Sequence, residues 1–451
     1  MLKIDPNNPL VIVAALRTPV GQAGKSLSGM ESHELGAFIA EETIRTYAIR
    51  KEWIDCVVAG EIGQSSKAPN VARVVSVRTG LPLEAPAVTI ANNCVSGYEA
   101  ITESARRIMT GEATFVLALG MENMSLYHFY LQGAKGNPKS STVEKIKANW
   151  PDLLSMGVDV IDSLEEGLTD PVRLLNMAMT GEVAAQNYDL DKKTLDDYAY
   201  NSYRKTYEAI VAGKYAPFIA PVQTPDGLLE HDEFIMSKRG MVENRDRFYR
   251  ASPIFDSKYM SLKEFYEKYG RYIRKPYVEG VSSASLTLFN SCPRSDGAGA
   301  AIVTTLQKAL DFGLTPLAIL RSWGNYGVDP VYMGIGMAYA MKRCLDHAGM
   351  EWKDVAGFEL HEAFAATAIG AMREVKEKYG FDLEKMDESG LVNPHGGTLA
   401  IGHPLGATGI RMLINQIMHL RERNVDNCLG AICAGGGVAG SILIERYSDR
   451  V

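Results

Sequence analysis

Residues 87–111 read AVTIANNCVSGYEAITESARRIMTG: an apolar run, two asparagines, a cysteine, a small-residue turn and a helical pattern. Taken as one unit this is strand, turn and helix, the step from which helix-covered sheets are built. The thiol of Cys94 stands at the mouth of the helix. Free cysteine is among the most buried residue types, so a plain core residue is the default reading. The other reading is chemical. A helix start offers unpaired N–H groups and the positive end of a dipole, which favour thiolate over thiol and lower the pKa from about 8.5.

Outward from this unit the pattern recurs. LVIVAA, CVVAGEI, FVLALGME, AAIVTT, LAILRSWG, GFELHEAF, LGAICAGGG and GSILIERY read as further strands. Ser32–Ala48, Gly97–Thr110, Leu190–Ala212, Ile335–Ala348, Ala363–Tyr379 and Gly409–Arg423 read as helices. The fold class is α/β. RKEWIDCVVAGEI around Trp53 resembles GMEWKDVAGFELHEAF around Trp352, and NNCVSGYEAI lines up with IGHPLGATGI when Cys94 is set on His403. Similar offsets in the same order suggest two copies of one α/β unit, with Cys94 and His403 both at strand-to-helix turns, where functional groups collect. The expected division is residues 1–122 as a first half, completed by about 282–305, then 123–281 as an inserted loop domain, and 306–451 as the second half. The insert carries two basic stretches, KGNPKSSTVEKIKANW and SKYMSLKEFYEKYGRYIRKPY. Their lysines and arginines interleaved with tyrosine could meet a phosphate, a partner or a membrane surface, or simply form solvated helix faces.

The totals bound the function. At 451 residues the chain exceeds one ordinary core. With 46% hydrophobic and 22% charged residues it is globular, and a net charge of −7 argues against bulk nucleic-acid binding. The N-terminal residues lack the charged, apolar, small-residue order of a signal peptide, and no apolar run reaches membrane-span length. Six cysteines without a CxxC pair suggest neither a zinc ribbon nor a disulfide framework. A reduced location is expected, cytoplasmic or in an organelle matrix, with association at a membrane surface left open.

Four motifs carry chemistry: Cys94 before Gly97; HEAFAA from His361; NPHGGTLAIGHPLGATG with His395 and His403; and CAGGGVAG from Cys433. Glycine runs let backbone N–H groups approach a ligand closely. In this order the motifs resemble those of the thiolases, coenzyme A-dependent enzymes that make or cleave 3-oxoacyl-CoA, and the resemblance runs from RTPVGQAGKSL to GGGVAG. It implies a thiolase-like fold, two pseudo-repeated halves in an α-β-α-β-α layering with an inserted loop domain that holds CoA. It implies Cys94 as the nucleophile that becomes acylated, His403 as its activating base, and Cys433 as acid and base at the substrate α-carbon. The N–H groups of Cys94 and Gly435 would hold one oxyanion; His403, helped by His361, would hold the enolate. No metal and no tightly bound cofactor are implied, CoA being a substrate, and Met177, Cys292, Ala363 and Phe364 would lie against it. His395 reads as a turn residue.

Departures from the family pattern colour the expectation. Most thiolases have Asn where this chain has His361. The HEAF form resembles the thiolase subunit of fatty-acid β-oxidation complexes, so degradative thiolysis is expected, with a biosynthetic acetoacetyl-CoA thiolase as the alternative. Cys292, followed by Pro293 and Arg294, replaces a family Ser, and Asn176 replaces a His of many relatives; an unusual acyl group, branched or aromatic, would fit. Expected partners are CoA and acyl-CoA, a second copy or copies in a homodimer or homotetramer, and a β-oxidation partner subunit, but no nucleic acid. A ketoacyl synthase shares fold and nucleophile but lacks a second cysteine before a glycine triplet. A zinc site built from Cys94, His361, His403 and Cys433 would need the thiolate that attack requires free.

Overall fold

The computed structural model describes residues 4–132, 159–255 and 260–448. In the first half, strands β1 (Leu10–Arg17), β2 (Cys56–Gly60), β3 (Ala87–Ile90) and β4 (Phe115–Asn123) alternate with helices α1 (Ser32–Thr46), α2 (Val71–Arg78) and α3 (Ser96–Thr110). After the insert, β5 (Ser295–Thr305) returns to pair with β1 and β4. The second half repeats the plan with β6 (Ala318–Gly327), β7 (Phe358–Leu360), β8 (Asn427–Ala434) and β9 (Val438–Glu445). The strand order is β7-β8-β9-β6-β1-β5-β4-β2-β3, with Gly21–Gln22 added beside β5.

Pairing supports the internal repeat. β2 runs parallel to β3 and β4, while β5 is antiparallel to β4 and β1. In the second half β7 runs parallel to β8, and β9 is antiparallel to β8 and β6. The counterpart of β3 has shrunk to one parallel bridge, Phe358 with Val392. The half-sheets join where Val11 and Ile12 pair with Ile319 and Ala318.

Alternation along the strands sends side chains to two layers. Val11, Val13, Val57, Leu117 and Leu119 meet Leu35, Ile39, Val71 and Val75 of α1 and α2 on one face. Ile12, Val58, Val116 and Ala118 meet Tyr98 and Ile101 of α3 on the other. There α3 lies beside its counterpart, the helix Thr408–Glu422, and each touches strands of both halves. The pair fills the space between the half-sheets, while Gly336–Ala348 packs on the second half-sheet and against Ala365–Tyr379 beyond it.

Within the insert, Leu262–Tyr269 turns Leu262, Phe265, Tyr266 and Tyr269 inward against Leu175, Val183, Phe255 and Val331. Tyr266 and Tyr269 of this basic stretch therefore serve a small core, with Tyr272 and Tyr277 packed against it, while its lysines, arginines and glutamates among the described residues face water. The other basic stretch, Lys135–Trp150, lies outside the described residues. The insert is tied to β1 by a buried bidentate pair, with Arg17 donating to both carboxylate oxygens of Asp232 at 2.6 and 2.8 Å. Among the described residues no helix is long and apolar enough to cross a membrane.

Glycine decides how closely the halves approach. A Cβ on Gly406, just before the second central helix, would stand 2.5 Å from the carbonyl oxygens of both Gly60 and Met121. A Cβ on Gly97 would stand 2.6 Å from the carbonyl oxygen of Gly406. Such contacts are with backbone, which cannot swing away. Gly406→Ala is therefore expected to destabilise the fold by about 3 kcal/mol or more, at or beyond the upper end of overpacking costs. Gly29→Ala, where nothing lies within 4 Å, should cost under about 1 kcal/mol. Denaturant unfolding of both variants checks the contrast.

Candidate active site

The two turns selected by the repeat meet. β3 ends at Ile90, the chain turns through Asn92 and Asn93, and α3 begins at Ser96. Asn93 sits at φ +47°, a left-handed conformation that asparagine tolerates better than most residues. Its Nδ2 donates to the carbonyl oxygen of Gly435 at 2.8 Å, fastening the Cys94 turn to the glycine triplet after β8. The backbone N–H groups of Gly435 and of Cys94 itself both point at the Cys94 sulfur.

His403 comes from the matching turn of the second half. Its Nε2 lies 3.0 Å from Cys94 Sγ and its Nδ1 lies 2.7 Å from the hydroxyl of Thr408. Thr408 donates its only proton to the Pro404 carbonyl oxygen at 2.9 Å. It must therefore accept from Nδ1–H, which leaves the lone pair on Nε2 facing the thiol. The second pair repeats the combination: Cys433 Sγ lies 3.4 Å from Nδ1 of His361, just past the end of β7. The two imidazole rings tilt together with centroids 4.5 Å apart. His361 is wholly buried, and its Nε2 has no hydrogen-bond partner among the described residues.

The electrostatics correct one expectation. The helix mouth was expected to lower the Cys94 pKa; instead burial pushes the thiol up to about 12, although both N–H groups pull the other way. Cys94 keeps some exposed surface, but protein surrounds it on nearly all sides. Burial, with Arg411 adding to it, drives His403 down to about 3. Burial, His403 and Arg411 push His361 well below its ordinary value. The resting pair is a neutral thiol facing a neutral imidazole. Proton transfer between them waits for something that stabilises the resulting charges.

Of the residues proposed to touch CoA, Met177 stands beside the triplet: a Cβ on Gly435 would be 3.2 Å from its sulfur. Both line a cleft of about 920 Å³ with Ile62, Asn93, Tyr127 and Leu174. Cys292 donates its backbone N–H to the Ala363 carbonyl oxygen at 3.0 Å, and Ser291 bridges Phe364. Burial raises the pKa of Cys292 and of Cys433; Cys94 adds to it in both, and Cys292 adds to that of Cys433. Asn176 caps the helix that Met177 starts, accepting from the Ala178 N–H. His395 points elsewhere, its Nε2 against Glu422 at 2.9 Å. Among the described residues no group of three or more His, Cys, Asp or Glu is arranged to hold a metal ion.

Sequence reading missed Thr408, which sets the His403 tautomer, Thr367, whose hydroxyl meets Cys433, and Glu122 at the end of β4. Thr408 lies five residues past His403, at the start of the helix that follows, a proximity that could have raised it. Glu122 carries no comparable signal.

Comparison with known proteins agrees with this geometry. The family profile described as Thiolase, N-terminal domain, matches residues 10–258, and Thiolase, C-terminal domain, matches residues 314–446. The chain is 33% identical over 439 residues to an acetyl-CoA acetyltransferase of Cupriavidus necator, covering 97% of this chain and 99% of that protein. It is 31% identical to one of Pseudomonas aeruginosa, with the same coverage. Human mitochondrial 3-ketoacyl-CoA thiolase in complex with CoA superimposes with a TM-score of 0.81 at 28% identity, covering 98% of each chain.

The neutral pair has a measurable signature. Alkylation of Cys94 by iodoacetamide should accelerate steadily from pH 6 to beyond pH 9, because the folded thiol ionises only as pH approaches about 12. A thiolate–imidazolium pair would instead give a plateau from acidic pH upward. Stability should respond at the acidic end: the unfolded chain protonates His403 below its ordinary value of 6.5, whereas the folded chain resists down to about 3. That contribution is present above pH 6.5 and lost as pH falls toward 3. Mass spectrometry of Cys94 and acid unfolding check the two halves of this prediction.

Proposed function

The chain belongs to the thiolase family, acyltransferases that work on CoA thioesters, and on that premise we propose that it cleaves 3-oxoacyl-CoA with CoA, releasing acetyl-CoA and a shortened acyl-CoA through an acyl-Cys94 intermediate. The observation that carries this reading is the Cys94–His403 pair at 3.0 Å, set beneath the N–H groups of Cys94 and Gly435.

As Cys94 attacks the 3-oxo carbon, its proton passes to Nε2 of His403. The carbonyl oxygen becomes an oxyanion held by those two N–H groups, which are fixed before charge develops. Collapse breaks the C2–C3 bond and leaves the acyl group on sulfur. The electron pair goes to the acetyl-CoA enolate, whose oxygen is held by protonated His403 and by Nε2 of His361, and Cys433 delivers a proton to C2. In the second half-reaction a CoA thiol gives its proton to the Cys433 thiolate and attacks the acyl carbon, returning Cys94 to the pair.

Two recesses suit the two ends of CoA. Among the described residues no lysine or arginine lines the 920 Å³ cleft, where Tyr127, Tyr130 and Leu174 favour the uncharged pantetheine and an acyl chain. A second recess of about 320 Å³ in the insert is lined by Lys238, Arg247 and Phe289. Neither cation joins an ion pair among the described residues, and we assign this recess to the phosphates. This supports residues 123–281 as a CoA-holding loop domain between halves 1–122 and 306–451. Degradative, β-oxidation-type use is supported by His361 and by a cleft large enough for more than an acetoacetyl group. A homo-oligomer is supported by β3, an apolar and half-buried strand with one edge unpaired in the sheet order.

Four outcomes test these assignments. Cys94→Ala should abolish acylation by acyl-CoA together with turnover, and a functional acyl adduct on Cys433 would sink the assignment. Cys433→Ser should spare acylation more than carbon–carbon cleavage. His361→Ala should lower thiolysis by roughly 10²–10³ at an unchanged melting temperature. Lys238→Ala with Arg247→Ala should raise the KM for CoA by about 10- to 100-fold, the worth of one or two charged hydrogen bonds, while leaving the KM for pantetheine unchanged. Rates across short, long and aromatic 3-oxoacyl-CoA substrates decide between the degradative and the acetoacetyl-CoA reading.

A further inference from the structure

Glu122 is a wholly buried carboxylate at the end of β4 with no cation in an ion pair with it among the described residues. A charge in such a place must be held by hydrogen bonds or give up its ionisation. Four donors converge on it. The Gly63 N–H reaches Oε1 at 2.8 Å and the Tyr127 hydroxyl reaches the same oxygen at 2.9 Å. The Gly406 N–H reaches Oε2 at 3.0 Å and the Ile62 N–H at 3.3 Å. Every donor lies on a segment that shapes the acyl-transfer site. Gly406 closes the His403-Pro404-Leu405-Gly406 turn. Ile62, Gly63 and Tyr127 line the large cleft, and Ile62, Tyr127 and Leu405 pack beside Cys94.

We propose that Glu122 is a positioning residue for acyl transfer, a buried anionic clamp that fixes the His403 turn to the cleft wall beside Cys94. It touches no reacting atom in this arrangement. Through Gly406 it sets how far His403 reaches toward the sulfur, and through Gly63 and Tyr127 it sets the wall against which an acyl chain would lie. The neighbouring buried carboxylate, Glu61, takes no part in the clamp: it accepts from the Ser32 hydroxyl, and burial followed by the charge of Glu122 pushes its pKa up to about 8, so it is neutral near pH 7. The facing titratable groups are Glu61, Tyr127 and Cys94. Burial raises the Glu122 pKa as well, and the Gly63, Gly406, Tyr127 and Ile62 donors pull it back toward the carboxylate; the convergence of four donors on its two oxygens is what marks Glu122 as the charged member. That charge adds to burial in keeping the Cys94 thiol protonated.

The inference rests on the proposed roles of Cys94 and His403, so wild-type protein is the first arm of the test. If wild type is neither acylated at Cys94 nor active in thiolysis, that reading fails and not the clamp. Given an active wild type, Glu122→Gln keeps the shape but presents an NH₂ to N–H donors on one side. It should lower kcat by about 10²-fold, the scale of a 1 Å misplacement, with KM changed less than about threefold. Loss of the negative charge should also shift the pH profile of Cys94 alkylation toward lower pH. Tyr127→Phe removes one donor, keeps the charge, and should cost less than tenfold in kcat with the alkylation profile unmoved. If Glu122→Gln fails to fold, Glu122→Asp, one methylene short of Gly406, carries the same kcat expectation. Turnover within twofold of wild type in the folded variant overturns the proposal. So does a loss of activity that follows the melting temperature while the alkylation profile stays in place.

Discussion

Backbone lies against backbone where Gly406 meets Gly60, Met121 and Gly97, and the reacting centre depends on that approach. A side chain on Gly406, Gly97 or Gly60 would push the central helices apart and carry His403 away from Cys94. At this point the halves meet through peptide groups rather than through side chains that could change rotamer. Glu122 finishes the contact by accepting the Gly406 N–H. In the roles proposed for them, His403 is a base brought to Cys94 from the other half of the chain, and such an arrangement needs a contact of this stiffness, since catalysis is sensitive to displacements near 1 Å.

Burial shapes the resting chemistry more than the helix start does. Cys94 is held as a thiol and His403 as a neutral imidazole. A neutral pair does not ionise to attack whatever enters. In the proposed mechanism it becomes reactive when a carbonyl oxygen lies beneath the Cys94 and Gly435 N–H groups and takes up the charge as it forms. Tautomer control through Thr408 keeps the imidazole lone pair on the thiol side during that wait.

Much of this was legible in the residues. The period-two strands, the two central helices and the paired turns at Cys94 and His403 followed from local pattern, and the motif order pointed to the thiolases. The direction of the Cys94 pKa did not follow, because a dipole argument sees only the residue's own helix, whereas desolvation depends on the whole surround. Glu122 and Thr367 were invisible for a related reason. Glu122 acts on backbone N–H groups far away in the chain, at Gly63 and Gly406, and no spacing announces such a bond. In the insert, the tyrosines of Leu262–Tyr269 looked available to a ligand until their packing was seen.

The lost strand of the second half bears on how copies of the chain can pair. At that end of the sheet the outer side of β7 is sealed: the Phe358 N–H donates to Leu391, the Asn393 N–H donates to the Phe358 carbonyl, and the Asn393 side chain both donates to and accepts from the Leu360 backbone. At the other end β3 keeps an open edge. A sheet with one open and one sealed border can extend once, edge to like edge, and then has nowhere left to grow. Degeneration of one repeat therefore leaves the sheet a single border open to strand addition, so that any pairing along it would be self-terminating at two copies.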